Sequence, residues 1–469
     1  MKPHLQFSSI AGNKSFPFTN QVKKGSLGRI LAGDFHEIPE VSQMRQPRLF
    51  HGEQLPPRVA YQQLFKQLPA FPAQANSRGR PEISRDALLR ALVYRALRRF
   101  TTLSDLVHAL HENPALLEAI GLDPLGSIPS VERFSDWLRT TDNNALQAIR
   151  IELIHSLFNE HALKGRILAL DSCPILSPVR ENNLKTSVRD RFNKERFPKA
   201  DPTARLGVLA SYTRPESRKT IFFWGYRNHI VADTETELPL WEQTEPADRK
   251  DSQMATHLLL ALKSAIVLPI EAVCADAAYD SEAFLKLIVD LLHAQPIVAR
   301  HPRHQSNPEF RVQGPVVFCP ANLEMFRRGK MTPRRTGITY QQYSCPIHYG
   351  RVKPQQLLTC PAAHPKFLRQ KGCNYLLRVT PSIRSQIPYG SDSFRELYRE
   401  RTAVERVFSR LLTVAMQDMP TRGLMSAQNL CTIAHITVLL VALTAHRHGH
   451  SDHLTFVRTF VPRFLDGAV

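Results

Sequence analysis

The sequence predicts an α/β protein built on a mixed sheet with helices on both faces. Two stretches rich in β-branched and aromatic residues, 206–212 and 221–232, follow each other and are typical of the strands of a hairpin or meander. Beyond them, helix-like and strand-like patterns alternate in the order 252–268, 272–275, 281–293 and 296–299. Strands that come together first and then alternate with helices indicate a mixed sheet covered on both sides.

The composition is that of a large, strongly basic globular protein. At 469 residues the chain is long enough for two or three domains, and a hydrophobic content of 43% is enough for a packed core. The 61 Lys and Arg residues outnumber the 42 Asp and Glu residues, which gives a formal net charge of +19 and a pI near 9.8. A chain this basic is expected to bind a polyanion, and nucleic acid is the commonest one.

Neither the cysteines nor the apolar stretches indicate secretion or a membrane span. Seven unevenly spaced cysteines do not form the framework of a small disulfide-bonded protein, and no apolar stretch follows Met1 as it does in a secretory signal. The most apolar stretch, 433–445, is short for a bilayer and contains His435, which favours a buried helix. We therefore expect a cytoplasmic, nucleoid-associated protein with reduced cysteines.

The N-terminal part divides into an arm and a helical region. Residues 1–76 show weak periodicity and scattered Pro, Gly and Gln, which predicts an arm that is partly ordered at most. Residues 77–150 contain several short helical patterns, the first capped by Ser84, and an arginine-rich surface. This pattern favours a helical DNA-binding domain of the helix-turn-helix type, and the alternative is a structural helical cap on the next domain. The candidate DNA contacts are Arg78, Arg80, Arg95 and Arg98.

Two aspartates follow short apolar runs that we interpret as buried strands. Asp171 directly ends the run 167–170, and Asp276 directly ends the run 272–275. A single Asp at a strand end is most often a turn or capping residue. The close competitor of Asp276 is Asp280, which stands where it could cap the next helix. Asp233 and Asp251 are weaker competitors, because each has the pattern of a turn or helix-start residue.

A predicted helix from Phe394 to Ala415 carries the third acidic residue, Glu405. An apolar stripe with spacings of seven, four and three residues runs through Leu397, Val404, Phe408 and Leu411. Beside that stripe, Tyr398, Arg401 and Glu405 are each about one turn apart, so a phenol, a guanidinium and a carboxylate project together. The alternative for Tyr398 and Arg401 is an ordinary surface or packing pair.

Carboxylates from separate elements are what a metal-dependent phosphoryl-transfer site needs. Two divalent ions about 3.5–4 Å apart can activate the attacking oxygen and stabilise the departing 3′-oxygen of a phosphodiester. Mg²⁺ prefers oxygen ligands and keeps water and phosphate in its shell, so a few carboxylates suffice. We therefore expect Asp171, Asp276 and Glu405 to meet and to bind Mg²⁺ or Mn²⁺.

The three acids and their neighbours resemble the DDE transposases of bacterial insertion sequences. The resemblance rests on Asp171, then Ala275-Asp276-Ala277-Ala278-Tyr279-Asp280, then Tyr398-x-x-Arg401-x-x-x-Glu405-Arg406-x-Phe408. The stretch Phe223–His229 followed by Asp233, and the helical leader 78–137, are also similar to that family. The resemblance covers roughly 78–300 and 374–445. One position departs from the family pattern, because Leu412 stands where a Lys often follows the Glu, and Arg406 and Arg410 have a different helical phase.

The resemblance implies an RNase H-like catalytic domain, divided here into 151–300 and 374–469 by an insertion at 301–373. It implies that Asp171, Asp276 and Glu405 bind two Mg²⁺ ions and that Tyr398 and Arg401 contact phosphates near the cleaved end. The implied activity is nicking of double-stranded DNA at the ends of a mobile element and joining of the freed 3′-hydroxyl to target DNA. Pairing of two ends implies a homodimer on DNA. The alternatives are an endonuclease without strand transfer and a catalytically inert DNA-binding repressor.

Four of the seven cysteines lie in the insertion, which is rich in Pro, Arg and Gln. Four thiolates could form a tetrahedral structural zinc site and so hold together a segment with few large apolar residues. The alternative is a set of independent thiols, because the insertion lacks C-x₂-C spacing. The candidate zinc ligands are Cys319, Cys345, Cys360 and Cys373.

Overall fold

The structure, a computed structural model, describes residues 57–72, 83–214, 217–304, 309–334, 336–351 and 359–457. The candidate DNA contacts Arg78 and Arg80 lie outside these residues. The chain divides into two compact units, and the larger one comprises Arg45–Val208 and Phe222–Val469. Of the smaller unit, the structure describes residues 209–214 and 217–221, which are parts of two strands.

The described N-terminal region consists of short helices with polar caps. They are α1 (Pro57–Lys66), α2 (Arg85–Arg98), α3 (Leu103–Glu112), α4 (Pro114–Ile120), α5 (Val131–Thr140) and α6 (Asn143–Asn159). The side-chain oxygens of Ser84, Thr102 and Asn113 accept backbone N–H groups at the starts of α2, α3 and α4. Gly121 ends α4 with a φ of 90°, a conformation that favours glycine. The short helices agree with the predicted pattern, although α6 runs across residue 150, where we placed a domain boundary.

Helix α1 lies in the stretch that we expected to form an arm. Its buried residues are Ala60, Tyr61, Leu64 and Phe65. The Tyr61 ring meets the Tyr94 ring of α2 edge-on, with 5.3 Å between their centroids. A helix of 10 residues shows too few turns for a clear apolar period, and tertiary contacts such as this one stabilise it.

A six-stranded mixed sheet follows the helices. Its strands are β1 (Ile167–Leu176), β2 (Arg205–Arg214), β3 (Ser217–Asp233), β4 (Leu238–Pro246), β5 (Ala272–Ala275) and β6 (Gln295–Val298). The strand order is β2-β3-β1-β5-β6, and β4 also pairs with β3. β1 is antiparallel to β3 and parallel to β5, which is itself parallel to β6. The predicted mixed sheet is confirmed.

The insertion forms two small antiparallel sheets. Its elements are β7 (Arg311–Gln313), β8 (Val316–Phe318), β9 (Phe326–Met331), β10 (Tyr340–Ser344), α9 (Pro365–Leu368) and β11 (Asn374–Arg378). β7 pairs with β8, and β9, β10 and β11 form a three-stranded sheet with β10 in the middle. We expected the insertion to end at residue 373 and the catalytic domain to resume at residue 374. Instead β11 pairs with β10, so the insertion extends one strand beyond residue 373.

Helices that follow the strands pack on the central sheet. α7 (Asp251–Ala265) contacts β1 and β4, and the short α8 (Glu282–Lys286) leads towards β6. α10 (Asp392–Arg399) contacts β5 and β6, and α11 (Ala403–Thr413) contacts β1. Helices from the segments before and after the insertion therefore flank the sheet, in agreement with the predicted fold class.

The C-terminal helix α12 (Leu424–Arg447) is buried along most of its length. By length and composition it could cross a membrane, but 94% of its most apolar window is buried inside the protein. It packs on β4 and on helices α1, α2, α5 and α6. The apolar stretch at 433–445 therefore belongs to a buried core helix, as predicted. Through α12 the helical region is also in contact with the sheet, as the interpretation of that region as a structural cap requires. DNA binding by the helical region stays a prediction.

Candidate active site

Asp171 lies in the middle of β1, whereas the apolar run before it predicts a strand end. β1 continues to Leu176 because β3 pairs with it beyond Asp171. The backbone N–H of Ser172 donates to Asp171 Oδ1 at 2.7 Å. Burial raises the pKa of Asp171 to about 7 in spite of this hydrogen bond, and the negative charge of Asp276 adds to the rise.

Asp276 directly follows β5 and lies at the same position along the paired strands as Asp171. The parallel register aligns Ala169 of β1 with Cys274 of β5, so each aspartate lies two residues beyond a paired position. Asp276 Oδ1 accepts the backbone N–H of Ala278 at 2.8 Å and so caps a short 3-10 turn. Burial raises the pKa of Asp276, and the negative charge of Asp251 raises it further.

Asp280, the close competitor of Asp276, is bound in a buried ion pair. Its carboxylate accepts hydrogen bonds from Arg384 Nε at 2.7 Å and from the backbone N–H of His301 at 2.8 Å. The cap of α8 is Ser281. Asp280 therefore joins segments of the fold, while Asp276 is the carboxylate beside Asp171.

The predicted helix at 394–415 is two helices separated by a 3-10 turn. The turn is Glu400–Thr402, between α10 and α11. Most of the predicted apolar stripe is buried, namely Val404, Phe408 and Leu411. The turn contains neither Gly nor Pro, the residues that most often mark a break, so the sequence does not reveal it.

Arg401, within this turn, connects Glu405 to Asp171. Its Nη2 donates to Glu405 Oε1 at 2.8 Å, and its Nη1 lies 4.0 Å from Asp171 Oδ2. Burial by itself lowers the pKa of Arg401, but the charges of Glu405, Tyr398 and Asp171 together raise it above its ordinary value. The side chains of Arg401 and Glu405 are 20% and 39% exposed, so a ligand can reach both.

Tyr398 is held beside the same acids by stacking. Its ring lies parallel to the ring of Phe394 with 6.0 Å between centroids, and the Arg401 guanidinium lies 5.9 Å from the Tyr398 centroid. Burial raises the pKa of the Tyr398 phenol, Arg401 opposes the rise, and the charge of Asp276 adds to it. Hydrogen bonds, ion pairs and electrostatic effects thus link Asp171, Asp276, Tyr398, Arg401 and Glu405, but among the described residues no three of the carboxylates form a ready metal-binding group.

A fourth carboxylate, Asp251, lies at this site although the sequence does not single it out. It is the first residue of α7, in agreement with its helix-start pattern. Ser172 Oγ donates to Asp251 Oδ1 at 2.8 Å, and Nδ1 of the buried His229 lies 3.4 Å from the same oxygen. Ser172 and His229 are directly opposite each other in the β1–β3 register. That register is the signal that could have identified Asp251, and it is known only from the fold.

Of the candidate DNA contacts in the helical region, Arg95 is buried. It is 1% exposed, and its guanidinium donates to the backbone oxygens of Thr101 at 3.1 Å and Asp418 at 2.8 Å. Arg95 therefore anchors α2 to the segment before α12 and cannot contact DNA in this structure, contrary to the prediction. Arg98, three residues later, is half-buried, and its contact with DNA stays a prediction.

The basic residues that follow Glu405 are engaged elsewhere. Arg406 Nε donates to Glu237 Oε1 at 2.5 Å, and Arg410 donates to the other carboxylate oxygen of Glu237. Neither guanidinium is therefore free to substitute for the Lys of the family pattern, whose position is occupied here by Leu412.

Three of the four insertion cysteines lie in one small core. Cys319, Cys345 and Cys373 are buried together, and Cys360 is half-exposed outside that core. Burial raises the pKa of the Cys373 thiol to about 12, and the neighbouring thiols of Cys345 and Cys319 contribute to the rise. Across the ranges that the structure describes, no three His, Cys, Asp or Glu side chains form a ready metal-binding group.

Comparison with known proteins identifies the family. A model described as "Transposase domain (DUF772)" matches residues 53–140, and a model described as "Transposase DDE domain" matches residues 210–440, which include Asp276 and Glu405. No curated protein matches the chain. Among solved structures, the piggyBac transposase in a cryo-EM synaptic complex with hairpin DNA is 10% identical, with a TM-score of 0.26 over 88% of this chain and 87% of that chain. A TM-score this low does not establish a common fold, so the assignment rests on the two family models. The chain belongs to the DDE transposases of the insertion-sequence type.

Proposed function

We propose that this transposase cuts DNA at the ends of a mobile element and joins the freed 3′-hydroxyl to target DNA. The observation that carries the proposal is the placement of Asp171 and Asp276 on adjacent parallel strands, with Glu405 linked to Asp171 through Arg401. Carboxylates from three elements far apart in sequence are thereby connected through the paired strands and Arg401. A set of carboxylates that bound metal ions could draw together is what metal-dependent phosphoryl transfer needs.

The strand order supports an RNase H-like catalytic domain. The antiparallel strands β4, β3 and β1 are followed in the sheet by β5 and β6, which run parallel to β1. Ligands of open α/β sheets bind beyond the carboxyl ends of parallel strands. Asp276 lies directly beyond the carboxyl end of β5.

The acidic site has the chemistry to hold divalent cations. Asp171, Asp276 and Glu405 would supply the oxygen ligands that Mg²⁺ and Mn²⁺ prefer. Burial raises the pKa of both aspartates, and a nearby cation would favour their charged forms. When bound, two such ions would activate the attacking oxygen and stabilise the departing 3′-oxygen.

The proposed reaction is two transfers of a phosphoryl group between oxygens. First, water attacks the phosphorus at the element end, its proton passes to solvent, and the bond to the 3′-oxygen breaks, leaving a 3′-hydroxyl on the element. That hydroxyl then attacks a target phosphodiester and loses its proton to solvent, and the displaced target 3′-oxygen takes up a proton and leaves as a hydroxyl. Arg401 and Tyr398 would bind phosphate oxygens near the cleaved end and hold them beside the acids.

The partner is double-stranded DNA at the element ends and at the target. The net charge of +19 provides the attraction to the phosphate backbone. We further propose a homodimer on DNA, because joining two ends of one element requires one site for each end. Mass photometry with and without an end duplex would measure this change in assembly.

A strand-transfer assay tests the proposed function. Purified protein would be incubated with Mg²⁺, a target plasmid and a labelled duplex that carries the DNA flanking the gene. Joined product supports the proposal, cut product alone indicates an endonuclease, and binding without cutting indicates an inert DNA-binding repressor. A parallel reaction with EDTA should give neither cutting nor joining.

Replacing Arg401 by Ala is expected to weaken the binding of an end duplex and to reduce its salt slope by about one. The reason is that the guanidinium would neutralise one phosphate and release its counterions. Fluorescence anisotropy between about 50 and 200 mM salt would measure the slope.

The matched control for Arg401→Ala is Arg395→Ala. Arg395 lies on α10, is exposed and pairs with Asp392 at 2.9 Å. Its removal should leave the salt slope within error of the original protein. If Arg401→Ala also keeps the original slope, Arg401 does not bind a phosphate.

We also propose that the insertion binds one structural zinc ion. The proximity of Cys319, Cys345 and Cys373 supports this proposal, since three thiolates are a donor set that suits zinc. Elemental analysis of purified, untreated protein should find about one zinc per chain, and Cys345→Ser should lose it. Cys431→Ala, in α12, should retain the metal. A folded original protein without zinc would contradict the proposal.

A further inference from the structure

Asp251 is the carboxylate beside the acidic site to which the family resemblance assigns no role. An acidic first residue of a helix is ordinarily explained by its favourable interaction with the helix dipole. Here the carboxylate is bound from outside the helix, because Ser172 Oγ of β1 donates to Asp251 Oδ1 at 2.8 Å. The Ser172 oxygen in turn accepts from Arg227 Nη1 at 3.1 Å, which leaves its own hydrogen for Asp251. The β1 and β3 strands thus fix the direction of the Asp251 side chain.

His229 provides a second, independent observation at the same place. Its side chain is 1% exposed, and Nδ1 lies 3.4 Å from Asp251 Oδ1. Within the part of the chain that the structure describes, neither ring nitrogen of His229 has a hydrogen-bond partner. Buried polar side chains are almost always hydrogen-bonded, and those that are not are characteristic of functional sites. This imidazole is aimed at the carboxylate that adjoins Asp276.

Asp251 belongs electrostatically to the acidic site. Its negative charge contributes to the raised pKa of Asp276 and, to a smaller extent, to that of Asp171. Its side chain is 27% exposed, close to the 29% of Asp171, so both are open to small ligands. The negative charge of Asp251 disfavours the charged forms of the other two aspartates, and a divalent cation bound there would relieve this repulsion.

We infer that Asp251 is a fourth carboxylate for the divalent cations of this site, and that Ser172 holds it in position through its hydrogen bond. The inference rests on the proposed function, because it assumes that the site binds Mg²⁺ or Mn²⁺. It adds a residue from α7 to the set supplied by β1, β5 and α11. Ser172 is a positioning residue, since it acts through Asp251.

The inference is tested by Mn²⁺ titration of the full-length protein, followed by electron paramagnetic resonance in the absence of DNA. Asp251→Asn should weaken Mn²⁺ binding by about tenfold to a hundredfold, and Ser172→Ala, which keeps every carboxylate, should weaken it by a smaller factor. The Mg²⁺ concentration for half-maximal cleavage of the labelled end duplex should also rise, more for Asp251→Asn than for Ser172→Ala. The matched control is Asp248→Asn, an exposed residue before α7, which should bind Mn²⁺ as the original protein does. Circular dichroism and melting would confirm that each variant is folded.

The outcomes separate the inference from the proposed function. If the original protein neither binds Mn²⁺ nor cleaves DNA, the proposed function fails and the inference fails with it. If the original protein does both, Asp276→Asn loses both, and folded Asp251→Asn behaves like Asp248→Asn, only the inference is overturned. Weakened Mn²⁺ binding by Asp251→Asn and Ser172→Ala, with the control unchanged, establishes the fourth carboxylate.

Discussion

Asp276→Asn is expected to reduce strand cleavage by about a thousandfold or more while leaving binding of the end duplex nearly unchanged. The loss corresponds to several kcal/mol of transition-state stabilisation, at about 1.4 kcal/mol for each tenfold. Asn keeps the size of the side chain, and its oxygen can still accept the N–H of Ala278, so the 3-10 turn after β5 should persist. Single-turnover cleavage and gel-shift binding, measured on the same preparation, would give the two quantities.

The same result is expected for Asp171→Asn and for Glu405→Gln, because each removes one negative charge from the proposed site. The control is Asp290→Asn, an exposed carboxylate that follows α8, which should cleave at the original rate. Full cleavage by a purified variant would remove the substituted residue from the site. Loss of both cleavage and binding would instead indicate that the variant is misfolded.

Arg150→Leu is expected to lower the free energy of unfolding by about 3–5 kcal/mol, the largest effect on stability that we predict. Arg150 is fully buried in α6 and donates to Leu240 O at 2.6 Å and to Gln147 Oε1 at 2.7 Å. Its guanidinium also lies 4.6 Å from the Trp241 ring centroid. Its positive charge acts on the buried carboxylate of Glu242, which would remain in the core without a compensating cation.

Urea denaturation followed by fluorescence would measure the effect of Arg150→Leu. Arg139→Leu provides the comparison, because Arg139 is exposed on α5 and pairs only with Asp136 in the described structure; it should change stability by less than about 0.5 kcal/mol. In the double variant with Glu242→Leu, much of the loss should be recovered, since neither charge is then buried alone. A double variant no more stable than Arg150→Leu would rule out the charge pair as the cause.

Elements with a strong local signal could be predicted from the sequence. The buried helix expected at 433–445 lies within α12, and the strand expected at 272–275 has the bounds of β5. The apolar stripe around Glu405 is largely buried as expected. These agreements arise because periodicity, capping and β-propensity act between residues that are close in the chain.

Contacts between segments distant in sequence account for most of the differences between the predicted and the observed structure. Asp171 is inside its strand because β3 extends the pairing, and β11 joins the insertion because β10 is its partner. Arg95 is buried because it binds a carbonyl 323 residues away. An arginine between two apolar helix positions has the same local pattern whether it faces solvent or another helix.

In the candidate site too, local patterns could be predicted from the sequence and contacts between distant segments could not. The order and spacing of Asp171, Asp276 and Glu405 are present in the sequence, and the structure places the two aspartates level on paired strands with Glu405 joined to them through Arg401. Asp251 has only the pattern of a helix start. Its relation to the site depends on Ser172 and His229, which meet through strand pairing.

Helix α12 gives the helical region and the sheet a common core. It packs on α1, α2, α5, α6 and β4. The Asn429 side-chain amide of α12 donates hydrogen bonds to the backbone oxygens of both Leu138 and Thr141. A gene copy that is frameshifted or interrupted before the codon for Leu424 therefore encodes a chain in which both parts lose their shared packing surface. Decayed copies of such an element should yield polypeptides that are degraded, and not fragments that occupy the element ends and compete with the intact protein.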